Sequence, residues 1–142
     1  MKRDPRLEPL SRDHHHALVL ARALRWAARG HARAPRDPLA LLRRAWTEVL
    51  EIHFREEEEW LAPLMEAGEA ERLASDHAEL RRLCADLLEG RRDERCLVAF
   101  SSLLHAHIRW EERVLFPRLE SDAPSGALDE VGRRLATSVR RP

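Results

Sequence analysis

Apolar residues return every three or four positions along most of this chain, the spacing of one face of an α-helix. Nothing alternates with the period of two that a half-buried strand requires. The helical pattern breaks at a few marked places. Ser11 can cap a first helix over 11–29, which Gly30 ends. The stretch 30–38 contains two prolines and reads as a loop. Asp37 can cap a second helix with Pro38 in its first turn, running to residue 66, and Gly68 breaks the chain. A third helix covers 69–89 and stops at Gly90, and a fourth covers 92–120. A linker (121–126) leads to a tail (127–142) that forms a short helix or frays. Four long helices with short connections predict an all-α, up-down-up-down four-helix bundle. The bundle domain is placed at 1–120 and the C-terminal tail at 121–142.

The apolar pattern is also duplicated. Residues 53–63 read HFREEEEWLAP and residues 107–117 read HIRWEERVLFP. Both strings share His at the first place, Arg at the third, Glu at the fifth and sixth, Leu at the ninth and Pro at the last. Upstream, Ala45, Trp46, Val49 and Leu50 align with Ala99, Phe100, Leu103 and Leu104. The chain thus reads as two copies of one αα-hairpin. Pro63 and Pro117 fall at matching places, and proline inside a helix kinks it.

Composition narrows the function classes. Arg, Leu, Ala and Glu, all strong helix formers, are abundant, and Tyr is absent. Acids and bases balance at 25 each, so net charge argues for neither nucleic acid nor an anionic membrane as partner. No apolar run approaches the roughly 18 residues of a membrane span, and residues 1–16 lack the apolar core of a secretion signal. A cytoplasmic location is the expectation. Cys84 and Cys96 form no metal-like pair and are expected to be buried thiols.

The chemistry lies on the apolar stripes. Residues four apart stack on one helix face, so His53 lies beside Glu57 and His107 beside Glu111. Trp46, Val49, Leu50 and Leu61 define the stripe of helix two, and His53 and Glu57 fall on it. Phe100, Leu103, Leu104, Val114 and Leu115 define that of helix four, and His107 and Glu111 fall on it. Glu56, Glu59 and His105 point elsewhere. A bare carboxylate in a core is costly, and no Lys or Arg shares these stripes. A metal resolves this, because imidazole plus carboxylate suits iron, zinc or manganese. On helix three, His77 lies one turn before Leu80 and two turns before Leu83 and Cys84. On helix one the reading stays open. The Asp-His pair selects His14, in a row with Ala17, Ala21 and Leu24. The wet face defined by Arg22, Arg25 and Arg29 selects His16, in a row with Leu20, Ala23 and Ala27. His15 fits least. A single histidine on an apolar face is ordinarily a hydrogen-bonded core residue, and part of the 56–59 acidic run is a solvated face. The Trp residues at 26, 46, 60 and 110 read as packing. The joint pattern, two His-x3-Glu pairs in one register and a His near the start of each other helix, favours metal.

These residues resemble the hemerythrin-like (HHE) family over about residues 10–120. The matching motifs are Asp13-His14, Asp76-His77, His53 with Glu57 and Glu58, and His107 with Glu111 and Glu112 followed by Leu115, Phe116 and Pro117. The helix-two copy has Ala62 where the family motif has Phe. The resemblance implies a non-haem centre of two irons with an oxo or hydroxo bridge. In it Glu57 and Glu111 bridge the metals, His53 and His107 bind one each, and His77 and a helix-one His complete the set. It implies binding or sensing of O2, NO or iron. The helix-three His-x3-His pair usual in oxygen carriers is missing, since Leu73 and Arg81 flank His77 at those places. His31, Glu58 and Glu112 are candidates to compensate. Two other readings remain: a di-metal redox enzyme acting on peroxide or NO or repairing iron–sulfur clusters, and a structural bundle with an incomplete single-metal site. A regulatory role would need a partner protein or the tail at 121–142, whose Arg-rich end is a candidate docking segment; a homodimer is a further expectation.

Overall fold

A computed structural model describes residues 2–91 and 93–138. Five helices account for most of them: α1 (Glu8–Ala28), α2 (38–64), α3 (Ala67–Leu88), α4 (94–122) and α5 (Ser125–Thr137). No strand occurs among the described residues. Each of α1 to α4 packs on the next, and α4 closes back on α1, so the four run round a bundle. The architecture is the expected all-α one. None of these helices is long and apolar enough to cross a membrane.

The helix boundaries follow local chemistry, with instructive shifts. Asp37 accepts a hydrogen bond from the Ala40 N–H at 3.0 Å, and Pro38 opens α2. Gly30 (φ +63°) and Gly90 (φ +109°) close α1 and α3 in the left-handed region that glycine tolerates. Helix α1 starts earlier than Ser11. A turn at 4–7 leads directly into Glu8, and Pro9 sits in the first turn. Ser11 is therefore inside the helix, and its hydroxyl is used on Glu112 instead. Gly68 does not break the chain. The break falls at Met65 and Glu66, which are extended, and Glu66 and Glu69 form a capping box around Gly68.

The duplicated prolines do not act alone. Three π turns, in which an N–H bonds to the carbonyl five residues back, interrupt α2 and α4. Two of them span Glu57–Leu61 and Glu111–Leu115, each beginning at the repeated glutamate and running into the proline region. The extra residue in each turn rotates everything that follows. Val114, placed on the apolar stripe by regular helical spacing, is 55 % exposed, while Leu115 and Phe116 are buried. The copies then diverge. Helix α2 ends in one 3-10 turn, Ala62–Leu64, whereas α4 continues as Phe116–Asp122.

The core has two apolar layers. One contains Leu24, Leu42, Leu50, Phe54, Leu80, Leu87, Phe100 and Leu104. The other contains Leu7, Leu10, Leu61, Leu115, Phe116 and Leu119. Ala99 lies outside the core, exposed, and Cys96 is only partly buried, while Cys84 is buried as expected. Of the two expectations for the tail, the described part takes the short helix, α5. Leu128, Val131 and Leu135 of α5 are buried in the second layer, and Arg6 bonds to Ser125 and Asp129. Glu56, expected on a wet face, is buried, and the Ser138 hydroxyl donates to it. The Arg-rich end of the tail, 139–142, lies outside the described residues.

Because α5 completes the second layer, Leu128→Ala leaves a cavity there and costs about 2–5 kcal/mol. Urea unfolding followed by circular dichroism measures it. A loss below about 0.5 kcal/mol, the range of an ordinary surface substitution, would mean that the tail contributes little to the fold.

Candidate metal centre

Between the two apolar layers the bundle buries a polar one. His14, His53, Glu57, His77, His107 and Glu111 are each no more than 2 % exposed. His14 comes from α1, His53 and Glu57 from α2, His77 from α3, and His107 and Glu111 from α4. Ligand atoms of His14, His53, Glu57 and Glu111 all lie within 4.8 Å of one another, and so do those of Glu57, His77 and His107. The two groups share Glu57.

The inward distances are short. Glu57 Oε2 lies 3.1 Å from His53 Nε2, and its Oε1 lies 3.2 Å from His77 Nε2. Glu111 Oε1 lies 3.1 Å from His14 Nε2 and 3.2 Å from His107 Nε2. His14 Nε2 and His53 Nε2 are 3.1 Å apart. Yet neither oxygen of Glu57 or Glu111 has a hydrogen-bond partner, nor do His77 Nε2 and His107 Nε2. Buried polar atoms are normally paired. Buried polar atoms without partners, converging on a shared point, are the arrangement a cation satisfies, and the donor set of imidazole and carboxylate fits the metals that such ligands prefer.

The outward side of every ring is held. His53 Nδ1 donates to Asp13 at 2.9 Å, and His107 Nδ1 to Asp76 at 2.8 Å. His14 Nδ1 donates to Glu112 and His77 Nδ1 to Glu58, both at 2.7 Å. A carboxylate only accepts, so Nδ1 carries the proton and Nε2 faces inward. Such partners fix the tautomer and the ring orientation of a metal-binding histidine. Each Asp therefore serves the histidine of the neighbouring helix and not the one beside it in sequence. Arg81 bonds Glu58 at 2.8 and 3.1 Å, Arg72 lies 3.6 Å from Asp76, and Arg3 and Ser11 bond Glu112. Aromatic faces pin two of the rings. His77 stacks on Phe54 at 3.9 Å between centroids, and His14 on Phe116 at 5.3 Å.

Charge follows from this crowding. Burial pulls the His53 imidazole down, but the Glu57 charge and the Asp13 bond outweigh it and lift it to about 9. His107 is likewise pulled down by burial and lifted by Glu111 and Asp76 to about 10. His14 is raised well above the usual range, with Glu111 and Glu112 overcoming burial. Burial pushes the Glu57 carboxyl up, and His53 foremost pulls it well below its usual value. Glu112 falls to about 2, because its bonds from His14 and Ser11 overcome desolvation.

On α1 the structure selects His14. His16 is exposed and belongs to neither group. It stands two residues on, about 200° round the helix, and the arginine face used to place it inward did not define the buried side. His15 is exposed and His105 half-exposed, and both lie outside the cluster. Partial burial, then Arg109, Arg25 and Arg113, push the His105 imidazole down. His31 is exposed, stacked on Trp26 at 5.1 Å. Glu58 and Glu112 are not extra inward groups but holders of His77 and His14. The holding roles of Asp13 and Asp76 were missed by sequence reasoning. Their signal was the Asp-His pair spelled twice.

A hemerythrin HHE cation-binding domain model matches residues 6–119, and again, overlapping, residues 75–135. The chain belongs to the hemerythrin HHE cation-binding family. Its second match reaches into α5, which packs on the hemerythrin bundle as part of it. Among curated proteins and solved structures, none matches.

The raised histidines give the metal-free protein a definite pH response. A group raised on folding stabilises fully below its unfolded value near 6.5, and that stability is lost as pH rises through the folded value. With His53 near 9 and His107 near 10, the melting temperature in chelator falls between pH 6.5 and 10. Glu57 and Glu112 are lowered, so a second loss appears as pH drops below about 4.5. Thermal melts across pH read both limbs. A melting temperature that climbed from pH 6.5 to 10 would contradict this charge arrangement.

Proposed function

We propose that this HHE-domain protein is a binding module, not a catalyst, holding two non-haem irons in the bundle and using them to bind or sense O2 or NO. The observation that carries the reading is the pair of ligand groups sharing Glu57, with orphaned carboxylate oxygens and Nε2 atoms aimed at one another. His14, His53, Glu57 and Glu111 would hold one iron, and Glu57, His77 and His107 the other. Two ferrous ions held by these residues would supply affinity for small diatomic ligands.

The chain's own residues do the rest. Asp13, Asp76, Glu58 and Glu112 keep each Nδ1 protonated and each Nε2 turned inward. Glu57 and Glu111 offset the positive charge of bound cations. The layers around Phe54 and Phe116 exclude water, which strengthens every electrostatic contact inside. The raised histidines would have to give up a proton to hold a metal, so affinity would climb by about tenfold per pH unit for each proton released below their pKa values.

One observation favours a second reading, a single-metal site. The second group has three residues against four, and Arg81, one turn after His77, is bound to Glu58 and Glu51.

Metal content decides between them. Protein reconstituted anaerobically with ferrous iron and then aired should contain about two irons per chain and show new near-ultraviolet and visible absorption from a coupled ferric pair. Bleaching and recovery over oxygen cycles would support binding or sensing, whereas continuous consumption of oxidant would support an enzyme. One metal per chain, with no such bands, overturns the di-iron reading. In Glu57→Ala the shared carboxylate is gone and binding of two metals is abolished. Asp76→Asn leaves the ligands in place and weakens metal binding about 10–100-fold, read by competition with a chromophoric chelator.

A further inference from the structure

A groove of about 350 Å³ runs along the outside of the seam between α1 and α4, away from the buried polar layer. Its charged lining is all of one sign. Arg22 and Arg25 come from α1 and Arg109 from α4, with His15 and His105 beside them, and no carboxylate lines it. Several surface arginines elsewhere pair with acids, while others, such as Arg33 and Arg113, do not among the described residues. Arg82 bonds Glu79 and Asp86, Arg118 bonds Glu69, and Arg133 and Arg134 both bond Glu130. In the groove, Arg25 and Arg109 have no such partner among the described residues. Arg22 is steered by Trp26, whose ring lies 5.1 Å from its guanidinium. The groove also offers an apolar face. Leu18 and Val19 line it, and Val19 is 43 % exposed.

We propose that this groove binds a small phosphorylated molecule with an apolar body. Several guanidinium groups gathered without a counter-charge repel one another, and an anion between them removes that repulsion. The planar fork of arginine matches the oxygens of a phosphate in pairs, and a phosphate carries enough charge to engage more than one fork. The volume is near the lower end of small-molecule sites and too small for a folded partner to enter. Leu18 and Val19 then face the ligand's apolar part. The site is independent of the buried metal ligands, none of which lines it.

Calorimetric titration of the metal-loaded protein with phenyl phosphate tests this. The expected result is saturable binding that weakens as salt rises and falls by about tenfold or more in each of Arg25→Gln and Arg109→Gln. Both variants keep the metal content and melting temperature of the parent, because neither side chain touches the buried cluster. Absence of binding overturns the proposal. So does unchanged affinity in both variants, which would place the phosphate elsewhere, for instance at the metal. Inorganic phosphate binding as tightly as phenyl phosphate overturns the role given to Leu18 and Val19. A poly-glutamate peptide that binds where phenyl phosphate does not would make the groove a docking surface for acidic protein segments instead.

Discussion

Everything in this bundle is arranged around two carboxylates that have no business in a hydrocarbon core. Glu57 and Glu111 are fully buried, and an isolated buried carboxylate would cost more than a domain of this size can spare. Four imidazoles lie against them, and four further carboxylates steady the imidazoles from behind. Arginines and a serine then meet three of those outer carboxylates near the surface. Charge alternates outward in shells, from acid to base to acid to base. The pattern lets a polar layer exist between two apolar ones, because the raised histidines set positive charge against the buried carboxylates.

Much of this was legible in the letters. The three-to-four spacing gave the helices, and the repeated His-x3-Glu placed His53, Glu57, His107 and Glu111 on buried faces. His77 followed from Leu80 one turn on and Leu83 and Cys84 two turns on. What periodicity could not give was anything depending on the partner helix. His14 and His16 are both reasonable from phase alone, and only the side on which α4 packs separates them. Asp13 and Asp76 looked like companions of the histidines next to them, but their bonds cross to other helices. The burial of Glu56 depends on α5 folding back, which a short amphipathic tail does not announce. Val114 was misplaced because regular spacing assumes a regular helix.

That last error bears on how the site is built. A regular helix placing His53 and Glu57 on the core side would carry Leu61 and the following residues along one fixed path. The π turns at 57–61 and 111–115 insert one residue in each copy immediately after the ligand pair. They let the helix present a polar pair to the middle layer and a differently phased apolar set to the second layer. Leu115 and Phe116 are then both buried, and the Phe116 ring lies against His14. The proline that follows each π turn lacks the N–H that a continuous α-helix would use, so the irregular turn and the proline suit one another.

The crossed hydrogen bonds have a consequence for how such a protein is made of halves. Asp13 reaches His53 inside the first hairpin, and Asp76 reaches His107 inside the second. Glu58 reaches His77, and Glu112 reaches His14, from one hairpin to the other. Each hairpin thus gives its mate what it receives in return. That is the rule of an isologous interface, where one surface meets a rotated copy of itself. Here both copies lie on one chain, so the symmetry is no longer enforced. Each half is free to change alone, as Arg81 beside His77 and the prolonged fourth helix already show.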